Sequence, residues 1–390
     1  MPDGGEAVTV KVLGAISEIA AEDWNACAGT ENPFVSHAFL GALEDSGAVS
    51  NRTGWGQRHL VVEDDDGQPV GVAPCYLKSH SYGEYVFDWG WADAFERAGG
   101  KYYPKLQVSV PFSPVGGPRL LTRPGPDAER IERILVAGLM ELTKSHDASS
   151  FHVTFCSEGE YTRLGEAGLL QRLGQQFHWK NDAYEKFDDF LATLSSRKRK
   201  SIRKERRDAN ALVEIKTLTG DALEDRHMDA FYEFYMNTID RKWSDAYLNR
   251  EFFHLLRERM ADNVVLVMAS HEDRFVGGAL NMLGEDTLYG RNWGCVQRFR
   301  NLYFEACFYR AIDFAIERGL STVEAGAQGP HKISRGYLPS PTYSAHWIAD
   351  PNFHDAVEEF LGRERRMMQY EMEELATRGP YRKDGGKAEI

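Results

Sequence analysis

Residues 286–337 change hydrophobic period twice, and that pattern restricts the fold more than any other stretch of the chain. Leu288, Gly290 and Asn292 alternate with Tyr289, Arg291 and Trp293, which predicts a strand. Past 302 the period becomes helical. Phe304, Phe308, Ile312 and Ala315 share one face, and Tyr303, Cys307, Ala311 and Phe314 line the next, so this helix is buried over more than half its circumference. Gly319 stands just past its last turn, where a left-handed cap is wanted. Residues 322–327 read as a second strand. Strand, loop, helix, strand is the crossover of a parallel pair, and it makes the chain α/β. The loop that leads from a strand end to a helix N-terminus is a common seat for an anionic or carbonyl group.

The length of 390 residues fits two or three domains, and 42% apolar residues supply a packed core. A net charge of −13 excludes a general nucleic-acid or membrane binder, so any polyanion must meet a local basic patch. The five cysteines (Cys27, Cys75, Cys156, Cys295, Cys307) are odd in number, widely spaced and form no CxxC pair. They read as reduced, buried thiols of a cytoplasmic protein. The N-terminal residues lack the charged-then-apolar pattern of a signal, and no apolar run approaches the about 18 residues that span a bilayer, so no integral membrane contact is expected.

Taken in order, residues 8–13 predict a strand, 16–28 a helix, 36–47 a capped helix, and 59–63 with 70–77 a hairpin. The hairpin recurs: PVGVAPCYL at 69–77 resembles FVGGALNML at 275–283, each after a strand and an acidic turn. A further strand, a helix and a strand follow each copy, so the chain reads as two copies of one α/β unit. Residues 1–185 form the first domain, 186–210 a basic helix, 211–375 the second domain and 376–390 a flexible tail. Residues 342–348 suit an edge strand. The charged helix at 353–375 carries a seam of Val357, Phe360, Leu361 and Met368, which suits docking or a homodimer.

Two stretches stand out chemically. Residues 81–121 set Tyr82, Tyr85, Phe87, Trp89, Trp91, Tyr102 and Tyr103 beside Glu84, Asp88, Lys101 and Lys105, the composition of a binding wall; an aromatic core with Asp88 paired to Lys101 or Lys105 is the plainer alternative. Residues 197–207 hold eight bases: Arg197, Lys198, Arg199, Lys200, Arg203, Lys204, Arg206 and Arg207. In an acidic chain they create a local field that draws in phosphate, where a solvated helix face is the alternative.

These motifs resemble the Fem-type branch of the GNAT acyltransferase superfamily, and more narrowly a bacterial family of N-acyltransferases associated with peptidoglycan biosynthesis and recognition. The resemblance rests on SYGEYVFDW (81–89), YYPKL (102–106), VPFSPVGG (110–117), SSRKRKSIRKERR (195–207), LYGRNWG (288–294), LYFE (302–305) and EAGAQGPHKISRGYLP (324–339). It implies two tandem GNAT-like domains, each a mixed twisted sheet flanked by helices, and transfer of an acyl group to an amine. Fem relatives take the acyl group from aminoacyl-tRNA and extend a cell-wall peptide; amide formation in small-molecule biosynthesis is a related use. The family's helix opens Leu-His-Phe-Glu, and here Tyr303 stands at the His position. Its Gly-Glu-His-Lys loop is Gly329-Pro330-His331-Lys332 here.

An acyl-CoA GNAT seats pyrophosphate on a glycine loop at this helix N-terminus. Here Arg300 and Leu302 hold the glycine positions, which disfavours CoA, although Arg298 and Arg300 can hold phosphate. The basic helix favours a larger polyanion such as tRNA. The expected catalytic residues are Glu305, His331 and Lys332. Glu84, Asp88, Lys105, Arg291, Trp293, Tyr303 and Arg335 are the expected substrate contacts. Arg197, Lys198, Arg199, Lys200, Arg203, Lys204, Arg298 and Arg300 are the expected tRNA or phosphate contacts. No tightly bound cofactor and no metal site are expected. The acceptor is a small-molecule or peptidyl amine. Two other readings stay open: an acyl-CoA-dependent N-acyltransferase, and a non-catalytic binding protein on a GNAT shell.

Overall fold

The protein is seen in a computed structural model that describes residues 9–242 and 245–382. Residues 1–8 and 383–390, which include the end of the expected tail, lie outside the described residues. Contacts divide the chain into two compact units, residues 1–174 with 342–368 and residues 175–341 with 369–390. Residues 175–185 and the basic helix fall in the second unit, because His178, Trp179 and Lys180 pair with the strand Thr322–Glu324.

The first unit carries two sheets. Thr9–Leu13, His59–Glu63, Pro69–Ala73 and Leu121–Thr122 pair antiparallel in that order. Trp55–Gln57, Cys75–Lys78, Lys105–Val108, Ser150–Cys156 and residues 343–348 pair in a second sheet, parallel only between 105–108 and 150–156. The expected strand at 70–77 is split, because Pro74 has no N–H and the chain changes sheet there. The expected helix at 16–28 is also interrupted: Ile19 and Ala20 are extended between a 3₁₀ turn and the helix Ala21–Ala28. The helix Ala128–Ser145 lays Ile131, Leu135, Leu139 and Leu142 on the apolar side of the strands. The strand expected at 342–348 is longer, Leu338–Ile348.

The second unit is one mixed sheet. Its order is Glu214–Leu218, Val264–His271, Arg274–Leu283, Thr287–Cys295, Thr322–Glu324, then residues 178–180. All pairs are antiparallel except Thr287–Tyr289 with Thr322–Glu324, the expected crossover. The helix between them is not uniform. Leu302–Phe304 is α-helical, Glu305–Tyr309 forms a π turn, and Arg310–Glu317 resumes the α period. Phe308, Ile312 and Ala315 pack with Leu288, Val323, Trp179, Phe190 and Tyr337. Gly319 closes the helix at φ +66°. The helix Asp225–Lys242 crosses the sheet so closely at Gly294 that a Cβ there would lie 2.1 Å from the Phe234 carbonyl oxygen. Residues 380–382 lie on this unit, with Tyr381 bridged to Leu194 and its hydroxyl donating to the Gly336 carbonyl at 2.9 Å.

Candidate functional site

The parallel pair in the second unit separates after Tyr289 and Glu324, three residues from its start. The strand through Cys295 runs on, while the other chain turns away from it and stays tied to Phe177: the Ala325 N–H donates to the Phe177 carbonyl at 2.9 Å, and the Gly326 carbonyl accepts from the Phe177 N–H at 3.1 Å. Lys332 adds a second donor at this departure. Its ammonium donates to the carbonyls of Ala325 and Gly326, the latter at 2.9 Å. Lys332 is buried, and burial lowers its pKa to about 8.

His331 precedes it in a 3₁₀ turn held between Gly329 and Gly336, at φ +100° and +92°. A Cβ at Gly329 would meet the His331 ring at 2.3 Å, so glycine is what lets the imidazole fold back. Tyr303, Phe304 and Phe308 surround that ring at 5.7–5.8 Å, and the Tyr303 hydroxyl lies 3.5 Å from His331 Nε2. Burial lowers the His331 pKa, and the charges of Arg335 and Lys332 lower it further. The imidazole is therefore neutral near pH 7.

A cleft of about 230 Å³ opens beside the start of the same helix, lined by Arg241, Trp293, Cys295, Arg298, Phe299 and Tyr303 among others. Arg298 and Arg300 are exposed on the loop that enters the helix, and Arg291 is half-buried on the neighbouring strand. Arg241 carried no sequence signal. Its guanidinium is placed by the Asn237 carbonyl at 3.1 Å and the Thr238 hydroxyl at 3.2 Å, and it reaches Cys295 Sγ at 3.9 Å.

Glu305 is fully buried and accepts from Arg206 at 3.1 and 3.2 Å and from Arg310 at 2.9 Å. Arg206 also donates to Asp313 at 3.1 and 2.5 Å. Arg206, one of the eight bases of the run, thus faces inward on the basic helix Ser196–Asn210. So does Glu205, the single acid in 197–207. It accepts from the Tyr309 hydroxyl and from Arg335 at 2.8 Å. The signal for Glu205 was available: one acid inside a basic run, beside Ile202 and Ala209 on the buried side. Arg203 pairs with Asp188 at 2.8 Å and Arg207 reaches Asp208 at 3.5 Å. Arg197, Lys198, Arg199, Lys200 and Lys204 have no ion pair among the described residues.

In the first unit, Glu84, Asp88 and Lys105 are brought together and buried. Lys105 Nζ donates to Ser81 at 2.8 Å, to Glu84 at 2.7 Å and to Asp88, which also accepts from Tyr102 at 2.7 Å. Lys101 is not Asp88's partner; Lys105 is. Lys78 stands directly opposite Lys105 in the strand register, fully buried, 3.9 Å from Glu84 and 3.5 Å above the Trp55 ring. Burial lowers the Lys78 pKa to about 7 and raises that of Glu84 to about 7. Like charges opposite one another across a ladder repel, so the two carboxylates are required there. Pinned inward at Glu84 and Asp88, the segment turns Tyr82, Phe87 and Trp89 outward, while Trp91 and Tyr102 stay in the core. His346, isolated in the sequence, meets His152 across the register at 2.7 Å between Nδ1 atoms.

Among the described residues no helix is long and apolar enough to cross a membrane. A family model described as FemAB-like, peptidoglycan biosynthesis/recognition, matches residues 15–383. No curated protein matches the sequence. Solved structures do match. The crystal structure of FemX is 12% identical, with a TM-score of 0.56 over 87% of this chain and 98% of that one. The C-terminal domain of a putative lysylphosphatidylglycerol synthetase from Agrobacterium fabrum is 9% identical, at 0.54 over 87% and 96%. L-PGS from Bacillus licheniformis is 9% identical, at 0.50 over 85% and 98%. At these identities the likeness is one of fold.

Proposed function

The chain belongs to the FemAB-like family of peptidoglycan biosynthesis/recognition proteins, and from that premise we propose that it is an acyltransferase that forms an amide bond. The donor is aminoacyl-tRNA, and the acceptor is an amine of a cell-wall precursor or small molecule. The observation that carries this reading is the helix Ser196–Asn210. It holds five bases without ion-pair partners among the described residues, and Arg206 anchors it to Glu305 at the start of the central helix. A chain of net charge −13 meets a polyanion only through such a surface.

The chemistry asks little of the protein. The amine nitrogen attacks the ester carbonyl, the N–C bond forms, and the C–O bond to the ribose breaks. His331 takes the proton from the amine and returns it to the leaving oxygen, a role that suits a neutral imidazole half-open to solvent. Tyr303, at 3.5 Å, orients that ring. Lys332 shapes the site by holding the 325–326 carbonyls, and Glu305 fixes the basic helix. Trp293, Arg291 and Tyr303 wall the reacting groups, and Arg298 and Arg300 hold phosphate at the helix entrance. In the first unit, Glu84, Asp88 and Lys105 fix the segment 81–89 through their buried pairing.

The test is binding of bulk tRNA and of CoA over a salt series, followed by transfer from charged tRNA to peptidyl amines. Tight tRNA binding that weakens steeply with salt, and is lost in Arg199→Glu/Lys200→Glu, supports the reading. Saturable CoA binding without tRNA binding overturns it in favour of an acyl-CoA donor, with Arg298 and Arg300 seating the pyrophosphate. Binding without turnover of any donor leaves the non-catalytic shell.

A further inference from the structure

The helix Ser196–Asn210 reaches the His331 turn through a chain of polar contacts. Glu205 on its inner face accepts from Arg335 Nη2 at 2.8 Å. Arg335 Nη1 donates to the His331 backbone carbonyl at 2.8 Å and to the Ser334 hydroxyl at 3.3 Å. The guanidinium carbon lies 3.4 Å from the Phe304 ring centroid, and Phe304 is one of the three rings around His331. The Arg335 side chain is 7% exposed, and its Nε has no hydrogen-bond partner among the described residues. Among those residues Glu205 is its one ion-pair partner. The turn that carries His331 is bounded by Gly329 and Gly336, both at positive φ.

We propose that Glu205 and Arg335 are positioning residues: through them, the seating of the cationic helix sets the order and orientation of the His331 turn. The physical reason is local. A buried guanidinium with one counter-charge keeps its place only while that charge is there. When Glu205 is neutralised, Arg335 seeks water. It then releases both the His331 carbonyl and the face of Phe304. The outer bases of the helix are untouched by this change, and the helix loses a negative charge. Polyanion binding and the order of the His331 turn are therefore coupled through one contact. This coupling rests on the proposed polyanion donor; the positioning link does not.

The experiment compares the full-length wild type with Glu205→Gln, Glu205→Asp and Arg335→Lys. It reads amide hydrogen exchange over 325–337, the ring NMR signals of His331, and bulk tRNA binding. In Glu205→Gln, exchange in 325–337 rises about tenfold or more and the His331 ring signals shift, while the strands 264–283 exchange as in the wild type. Glu205→Asp restores part of the protection, and Arg335→Lys, which cannot hold both partners at once, behaves like Glu205→Gln. Bulk tRNA binds Glu205→Gln at least as tightly as it binds the wild type. Saturating tRNA slows exchange of 325–337 in the wild type and not in Glu205→Gln. Unchanged exchange and ring signals in Glu205→Gln would overturn the link, as would a rise spread evenly over the whole second unit. If tRNA fails to bind the wild type, the donor reading and the coupling fall, and the exchange arm alone decides the link.

Discussion

At the scale of single residues, charge inside the protein decides most of what is testable. Lys105 holds Glu84 and Asp88 at full burial, so Lys105→Met leaves two carboxylates without their shared cation. Breaking a buried pair from one side costs about 3–5 kcal/mol. Urea unfolding of Lys105→Met should show a loss of that order, and adding Glu84→Gln and Asp88→Asn should recover part of it. Additive losses would mean that the three groups do not act as one network. Lys332 gives a pH dependence instead. Its pKa of about 8 lies below the ordinary about 10.4 of an unfolded lysine. Between those values the unfolded chain holds a proton that the folded one has released, so stability rises with pH there. Unfolding free energies of wild type and Lys332→Met measured from pH 8 to 10 should diverge upward in favour of the wild type. Parallel curves would place the Lys332 ammonium in contact with water.

At the scale of elements, the central helix and its neighbours were largely legible in the sequence. The alternation at 288–293 found the strand although burial along it does not alternate, and the cap at Gly319 reports a positive φ. The two-faced helix from 302 reports burial instead, and burial leaves a periodic trace. The π turn at 305–309 leaves none, because a one-residue slip inside a helix buried on most sides costs no apolar position. A similar limit hid Arg206. A basic run announces its charge but not which residues face inward, and only the acid at 205 broke the pattern. Glu84, Asp88 and Lys105 were legible as a group and not as a buried one, since aromatic residues interleaved with charge describe a wall and a core equally well. The close crossing at Gly294 makes a sharper test of element packing. Gly294→Ala drives a methyl group into the Phe234 carbonyl, and overpacking of this kind costs about 1–3 kcal/mol. The helix Asp225–Lys242, which carries Arg241, must also shift. Gly319→Ala meets nothing within 4 Å and strains only its own φ. Thermal melts of both variants, with tRNA or CoA affinity as a second reading, should separate them: Gly294→Ala loses stability and affinity, Gly319→Ala stability alone. Equal affinities would detach the cleft from that crossing.

At the scale of the whole molecule, the charge distribution makes a prediction that no single site makes. Residues 197–207 carry +7, and the remainder of the chain carries −20. A polyanion is therefore repelled at long range and attracted at short range. Salt weakens both, but not together: the Debye length shrinks from about 30 Å at 0.01 M to about 10 Å at 0.1 M, so the distant repulsion is screened first. Counterion release from contacts with the five bases that have no ion pair among the described residues gives a slope of about −4 in log affinity against log salt. For bulk tRNA measured from about 0.01 to 0.3 M salt, the plot should be curved, shallow at the low end where screening relieves repulsion, and near that slope above 0.1 M. Charge reversal at Arg199 and Lys200 should flatten the upper limb and leave the low-salt curvature, because the acidic remainder is unchanged. A straight line of the full slope down to the lowest salt would show that the acidic body does not act on the ligand at all, and the cationic helix would then have to be treated as an isolated element.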